Sequence, residues 1–555
     1  MTDHLKPIHA EGPDASRVGV SAAQERLTPF RRDWGFGLSS LLAVSFVLCS
    51  VIFVLGNYQT TNGDYYQYQI HADNLREGLP WATFLEGYPS VLPGWSVMLA
   101  MWQTVFGNSL FAVGLLNSIL WALTALVYSR LLLRLGWGWG TRLAVTSILL
   151  LSPFVISFQQ EGQPNIFAAL SVAVGLWATY VLAEERGWPR SRLQWLAVAA
   201  LLLASVVRIE SVILYIATAL FFASRKRWVA LVWPALGSFV SIALTVVFAN
   251  AFGMRSNIEN GLGFVDRNVS DASGFLSGLD WLDGYLSNCL GIMFQSVDIF
   301  SSASLGESFT VSVEPSYTHT TGIGALIVLL FVLVGMVRGE IAERPSTPRT
   351  ASPLMLCLSP LRLLLLGSLA FWGLLGLSAP AMPRYILPAA PAVLIFAVVG
   401  VSTSISKMNR FALPTGAALW LAVVSVNALN MRPHTLLPRQ KNFVGNPDSL
   451  QMFEILSGEA RKQRPIGYWK PRLMMGELRR RNALFEPVLN IRNEARLRAL
   501  LDSGGAFGHV EPWMPDWMIE TVDSYETVCP VWRQGSLVVI APPDSERPCL
   551  PPKTG

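Results

Sequence analysis

The sequence predicts an all-α polytopic membrane protein. About eleven transmembrane helices are expected, with interfacial helices in the first outer loop and a small C-terminal α/β domain outside the membrane. Three observations predict it. Of the 555 residues, 52% are hydrophobic and only 14% are charged, where soluble domains carry about 25% charged residues. Apolar runs near the ~20 residues needed to cross a bilayer recur along the chain. Lys and Arg are divided unevenly between the segments that join those runs.

The first 33 residues are polar and rich in turn formers, so they read as a disordered cytoplasmic tail. Trp34 to Gly56 is too long for a signal-peptide core and lacks a small-residue cleavage site, so it reads as a retained anchor. The expected spans are 34–56, 110–130, 142–158, 165–183, 194–208, 209–224, 228–252, 321–338, 361–379, 386–404 and 411–428. The fifth and sixth are short and could form one helical hairpin or a bent pair. With the N-terminus inside, the inner segments hold twenty Lys and Arg residues. The outer side before the tail holds five: Arg76, Arg208, Arg255, Arg267 and Arg384. Short loops obey the positive-inside rule. An odd number of spans then sends residues 430–555 to the outer face of the inner or cell membrane.

Composition excludes some functions. The net charge of +5 is too mild to argue for nucleic acid. No P-loop, dinucleotide-binding glycine run, HExxH or CxxC is present. Cys49, Cys289, Cys357, Cys529 and Cys549 are too scattered for a zinc site.

Residues 57–109 form the first outer loop. Asn62-Gly63-Asp64 is a helix-start signal, and Asp64 can cap the helix beyond it. Tyr68, Ala72, Leu75 and Leu79 step by three and four as one helix face, closed by Gly78 and Pro80. This helix is too short and polar to span, so it should lie in the interface. Tyr88 to Ser109, which opens with two prolines and a glycine, reads as a second interfacial helix. Taken alone, Asp64 is a capping carboxylate. His71 reads as a surface residue rather than a metal ligand. Each outer arginine is either a snorkelling side chain or a functional-site candidate.

Four stretches carry a family likeness: "GDYYQYQIHADNLREG", the run from "YPSVLPGW" to "LVYSRLL", "LLLASVVRIESVILYI" with its Arg-x-Glu, and "PAMPRYILPAAPAVLIFA" with its Arg-Tyr-x-x-Pro. A weaker match is "KPRLMMGELRRRNALFEP" in the tail. Together they resemble the GT-C class of polyprenyl-phosphate-dependent glycosyltransferases, nearest to the protein O-mannosyltransferases and aminoarabinose lipid A transferases. The resemblance implies a GT-C-like catalytic domain over 34–429 and an inverting hexosyl- or pentosyltransferase. It implies that the first-loop acid, Asp64, is the catalytic base. The second acid, in "FQQEGQPNIF", matches Glu161. Where some members carry paired acids, Asp64 stands between Gly63 and Tyr65.

The residues fit such chemistry. An outer-facing transferase needs a donor that arrives in the bilayer, a polyprenyl-phosphate-linked sugar, and passes it to a lipid, glycan or protein acceptor. A base must take the acceptor proton, and Asp64 beside lipid should have a raised pKa suited to that. Cations must steady the departing phosphate. Arg384, with Tyr385 at the outer start of a span, and Arg208 are the candidates; Arg offers a rigid donor fork for phosphate. Arg208 and Glu210 do not share a helix face, so they should contact different partners or flank a break. A buried pair of Arg208 with Glu161 or Glu210 is the plainer alternative. Tyr65, Tyr68 and Glu210 could contact sugar or acceptor, although an interfacial aromatic belt explains the tyrosines equally well. Asp64 and Glu161 could hold a divalent metal, but two acids alone make a weak site. No other cofactor is indicated.

Residues 254–320 form a Gly-, Ser- and Asn-rich outer loop, long enough for a lid. In the tail, "RPIGYWK" and "SYETVCPVWRQGSLVVIAP" read as strands, the latter a hairpin about Gln534-Gly535-Ser536. "NEARLRALLDSGG" reads as a helix with a glycine stop. Cys529 and Cys549 there are either a disulfide or two free thiols. The competing function is a transporter or flippase for a lipid-linked or polar solute. The scarcity of charge in the middle spans and the lack of a clear internal repeat argue against it.

Overall fold

The computed structural model describes residues 34–54, 63–78, 92–107, 110–152, 155–156, 164–184, 187–251, 289, 330–337, 359–375, 386–405, 414–425, 447–462, 464–469, 489–490, 494–510, 516–535, 537–545 and 547–551. The apolar part is helical: α1 (Trp34–Cys49, running on as a π turn, Ser50–Val54), α2 (Gly63–Glu77), α3 (Pro93–Phe106), α4 (Leu110–Arg134), α5 (Trp139–Leu150), α6 (Asn165–Ala183), α7 (Arg192–Leu203), α8 (Val212–Ser224), α9 (Val232–Ala251), α10 (Pro360–Leu375), α11 (Ala390–Ile405) and α12 (Pro414–Ser425). Residues 330–337 are also helical. Each of the eleven expected spans contains helix. Four stretches among the described residues, Trp34–Ile52, Phe111–Arg134, Asn165–Ala183 and Trp228–Val247, are long and apolar enough to cross a membrane by themselves.

Burial ranks these helices. The apolar stretch of α6 is 78% buried and that of α4 is 67%, against 28% for α1 and 33% for α9. A helix that is apolar all round and enclosed belongs at the centre of a bundle. So α6 is the core helix, packed on α4 and α7, while α1 and α9 turn residues such as Leu41 and Phe239 outward. Polar side chains face inward: Ser39 of α1 bonds Ser129 of α4 (3.1 Å) and Thr146 of α5 (3.4 Å). The Trp121 indole donates to the Leu149 carbonyl at 2.8 Å. Hydrocarbon does not drive apolar groups inward, so such bonds and close packing carry the association.

Burial covers more of α2 than the expected face. Of that face, Ala72 is fully buried and Tyr68 packs on the core, while Leu75 is 41% exposed; Gln69, His71 and Asn74 are fully buried as well. Leu79 lies outside the described residues. Gln69 and Gln103 exchange amide bonds at 3.0 and 2.7 Å, and Gln69 also donates to Asp73 at 2.8 Å. Polar side chains are covered here together with apolar ones, because their bonds are met inside the protein. His71 is therefore buried, not a surface residue. The helix starts at Gly63, which places Asp64 inside its first turn rather than at a cap before it, and Gly78 closes it with φ +69°.

Towards the C-terminus the described residues form a small mixed sheet with helices: α13 (Pro447–Arg461), β1 (Ile466–Trp469), β2 (Leu489–Asn490), α14 (Glu494–Asp502), β3 (Ala506–Val510), α15 (Asp516–Asp523), β4 (Cys529–Gln534) and β5 (Leu537–Ala541). The sheet order is β2-β1-β3-β5-β4. β1 is parallel to β2 and β3, and β5 is antiparallel to β3 and β4. The expected strand, hairpin and helix are all present. Gly535 turns the hairpin with φ +59°. At the end of α14, the N–H groups of Gly504 and Gly505 donate to the carbonyls of Leu501 and Leu500, and Gly504 has φ +69°. Cys529 and Cys549 are joined as a disulfide across a Cα separation of 5.5 Å. Buried Glu459 accepts from Arg464 (2.6 Å), Arg547 (3.2 Å) and Lys462 (3.3 Å), which fastens the end of the chain to α13.

Candidate functional site

The site is built on a helix break. After α7 the chain makes a 3-10 turn at Ala204–Val206, an irregular step through Val207 and Arg208, and a second 3-10 turn at Ile209–Ser211 before α8. No Pro or Gly causes this. Two serines flanking β-branched Val206 and Val207 hold it: Ser205 Oγ donates to the Leu202 carbonyl and Ser211 Oγ to the Arg208 carbonyl, each at 2.6 Å. Serine hydroxyls compete with the helix for backbone groups in this way.

The break is a reversal. Tyr215 Oη donates to the Leu201 carbonyl at 3.0 Å. Those residues are fourteen apart, which in continuous helix would separate them by about 21 Å. So the chain turns back between α7 and α8, with Arg208 near the apex of this hairpin turn; beyond the apex the two helices pack on α6, α9 and α10 rather than along each other.

Arg208 is held there from three sides of its guanidinium. Nε donates to Glu210 Oε2 at 3.0 Å, Nη2 to Glu210 Oε1 at 2.6 Å, and Nη1 to Asn165 Oδ1. The expected break is present, but the two side chains grip each other instead of taking different partners, which is the plainer alternative of a buried Arg208–Glu210 pair. Outside a helix, residues two apart can share a side. Asn165 opens α6 directly after Pro164. Sequence reasoning misses it; its signal is a polar residue heading an apolar span four positions after Glu161.

Three further elements meet the break. In α3, a Cβ added at Gly94 would lie 2.5 Å from the Val206 carbonyl oxygen. Only a residue without a side chain allows that approach. The neighbouring Trp95 ring sits 6.0 Å from the Phe167 ring of α6. From α10 and the segment before α11, Leu364, Ser368, Pro388 and Ala389 wall a cavity with Arg208, Glu210 and Ser171. The cavity is about 30 Å³, space for about two waters where one needs ~10–15 Å³.

Of the expected site residues, Arg208 and Glu210 are brought together. Asp64 and Tyr65 lie in the first turn of α2, but their side chains are outside what the structure describes; Tyr68 is half-buried. Glu161, Arg384 and Tyr385 lie outside the described residues, as do Arg255, Arg267 and all of 254–320 except Cys289. Among the described residues no group of three or more His, Cys, Asp or Glu could hold a metal ion.

No protein-family model matches the sequence, and no curated protein does. Solved structures do. The chain is similar to ArnT from Cupriavidus metallidurans bound to undecaprenyl phosphate, with a TM-score of 0.54, 15% identity, and coverage of 91% of this chain and 98% of that one. It is similar to the archaeal oligosaccharyltransferase AglB from Archaeoglobus fulgidus in complex with an inhibitory peptide and a dolichol-phosphate, with a TM-score of 0.53, 12% identity, and coverage of 95% and 76%. At these identities the likeness is one of fold. The chain shares its fold with these two proteins, and among its described residues four stretches are long and apolar enough to cross a membrane.

Proposed function

We propose that this protein is an integral membrane glycosyltransferase that moves a sugar from a polyprenyl-phosphate donor to a lipid, glycan or protein acceptor on the outer face of the membrane. In this reading the chain crosses about eleven times, residues 1–33 are cytoplasmic and residues 430–555 are outside. The Cys529–Cys549 disulfide suits an oxidising compartment.

The observation that carries the reading is Arg208. A guanidinium paired with the Glu210 carboxylate is fixed on the wall of a small cavity, at a helix break, in a fold shared with proteins solved with undecaprenyl phosphate or dolichol phosphate. Arginine in a low-dielectric site is suited to phosphate oxygens. Chain length allows two other candidates to lie near this cavity. Pro388 lines the cavity four residues after Arg384, and Asn165 comes four residues after Glu161. Four residues of chain reach at most about 14 Å. Asp64 is carried by α2, whose Gln69 meets Gln103 of α3, the helix whose Gly94 abuts the break.

The step is a single displacement. Asp64 takes the proton of the acceptor hydroxyl, and the acceptor oxygen bonds to the anomeric carbon. The bond from that carbon to the donor phosphate oxygen breaks, and the electron pair leaves on polyprenyl phosphate. Arg208 and Arg384, with Tyr385, stabilise that charge. Displacement from one face inverts the anomeric centre.

The test uses the full-length protein in proteoliposomes with a polyprenyl-phosphate sugar labelled in the sugar. Transfer predicts label on the acceptor and free polyprenyl phosphate. A flippase, which the broken α7–α8 hairpin also suits, would move the label across the bilayer with the sugar–phosphate bond intact.

A further inference from the structure

We propose that the end of the bundle opposite Arg208 is a binding surface for anionic phospholipid headgroups. The α7–α8 hairpin fixes the geometry. Its apex carries Arg208; its open end carries Arg190 and Arg192 at the start of α7, and Arg225, Lys226 and Arg227 after α8. Trp233 of α9 joins the two sides, with its ring 5.6 Å from that of Trp188 and 5.7 Å from that of Trp195.

Two features separate this cluster from an ordinary charged turn. Cations at a helix C-terminus are favoured by the backbone dipole, which accounts for Arg225, whose N–H closes the last turn of α8. The dipole disfavours cations at an N-terminus, yet Arg192 is the first residue of α7 and Arg190 precedes the Ser191 cap. Lys226 has φ +54°, and among the described residues it is the one non-glycine with a positive φ. Glycine or asparagine fits that conformation more easily. Charge is thus placed where local backbone energetics oppose it.

The surroundings supply the rest of the complementarity. Arg190, Arg192, Arg225 and Lys226 are exposed. Trp188, Trp195 and Trp228 are 55%, 51% and 64% exposed at the ends of apolar helices, as indoles at headgroup level are. The two connections, 184–191 and 225–231, carry two carboxylates, Glu184 and Glu185, against Arg186, Arg190, Arg225, Lys226 and Arg227, with Arg192 just beyond. Glu184 is already paired with Arg134 at 2.6 Å. Clustered cations beside interfacial tryptophans fit the phosphates of an anionic leaflet.

Native mass spectrometry of the full-length protein, with phosphatidylglycerol and phosphatidylcholine offered in equal amounts, tests this. Wild type should retain phosphatidylglycerol in preference. Arg190→Gln and Lys226→Gly should each weaken that retention by about fivefold for the cation removed, with phosphatidylcholine unchanged. Lys226→Gly suits the local backbone, so its failure to bind cannot be laid to misfolding. A wild type without preference, variants that keep it, or full displacement of the lipid by inorganic phosphate would overturn the proposal.

Discussion

Arg208 and Glu210 form a two-point ion pair, Nε to Oε2 at 3.0 Å and Nη2 to Oε1 at 2.6 Å, at the apex of the α7–α8 hairpin. Their side chains are only 15% and 22% exposed, so each charge depends on the other. Glu210→Ala should cost about 2–4 kcal/mol, somewhat less than the ~3–5 kcal/mol of breaking a fully buried pair, because some water reaches this one. Denaturant unfolding in detergent measures it. Arg208→Lys keeps the charge but cannot span Glu210 and Asn165 together. Its expected signature is a raised KM for the lipid donor.

Gly94 seats α3 against the carbonyl of Val206, two residues before Arg208. Gly94→Ala must push the two apart, at a cost of about 1–3 kcal/mol for overpacking. The predicted outcome is loss of activity together with lower thermal stability, although residue 94 carries no chemistry. Unchanged turnover would show that the break tolerates displacement.

Asp64→Asn should reduce transfer by about 10²–10⁴-fold, the usual worth of a positioned general base. Expression and helix content should not change, since an amide in the first turn of α2 is nearly isosteric. Full residual activity in the assay would remove Asp64 from the base role.

In the C-terminal unit, the Lys462 bond to Asp544 and the Tyr525 bond to Asp502 raise the pKa values of Lys462 and Tyr525 above their ordinary 10.5 and 10.0. A raised folded value means the contribution is whole below the unfolded value and is lost as pH rises through the folded one. Thermal stability of this unit should therefore hold up to about pH 10 and fall above it. Asp502→Asn should flatten part of that fall, which a melting series in alkaline buffers will show.

Much of the scaffold is legible from apolar run length, turn glycines and the Arg-x-Glu junction, because those are local signals. The reversal at Val206–Val207 is half-legible. Two short runs meet there, but the serines that hold the break read as ordinary small residues. Asn165 stays hidden because its role comes from a partner 43 residues away. The burial of polar residues on α2 is not legible from periodicity, because Gln69 pairs with Gln103 of a neighbouring helix. Whatever depends on one long-range partner leaves little trace in a single sequence.

The most direct test of the central claim is a density map of the full-length protein with polyprenyl phosphate bound. The account predicts the phosphate beside the Arg208 and Arg384 guanidinium groups, with the Asp64 carboxylate facing the same hollow. Phosphate density away from Arg208, or Asp64 and Arg384 on opposite leaflets, would contradict it.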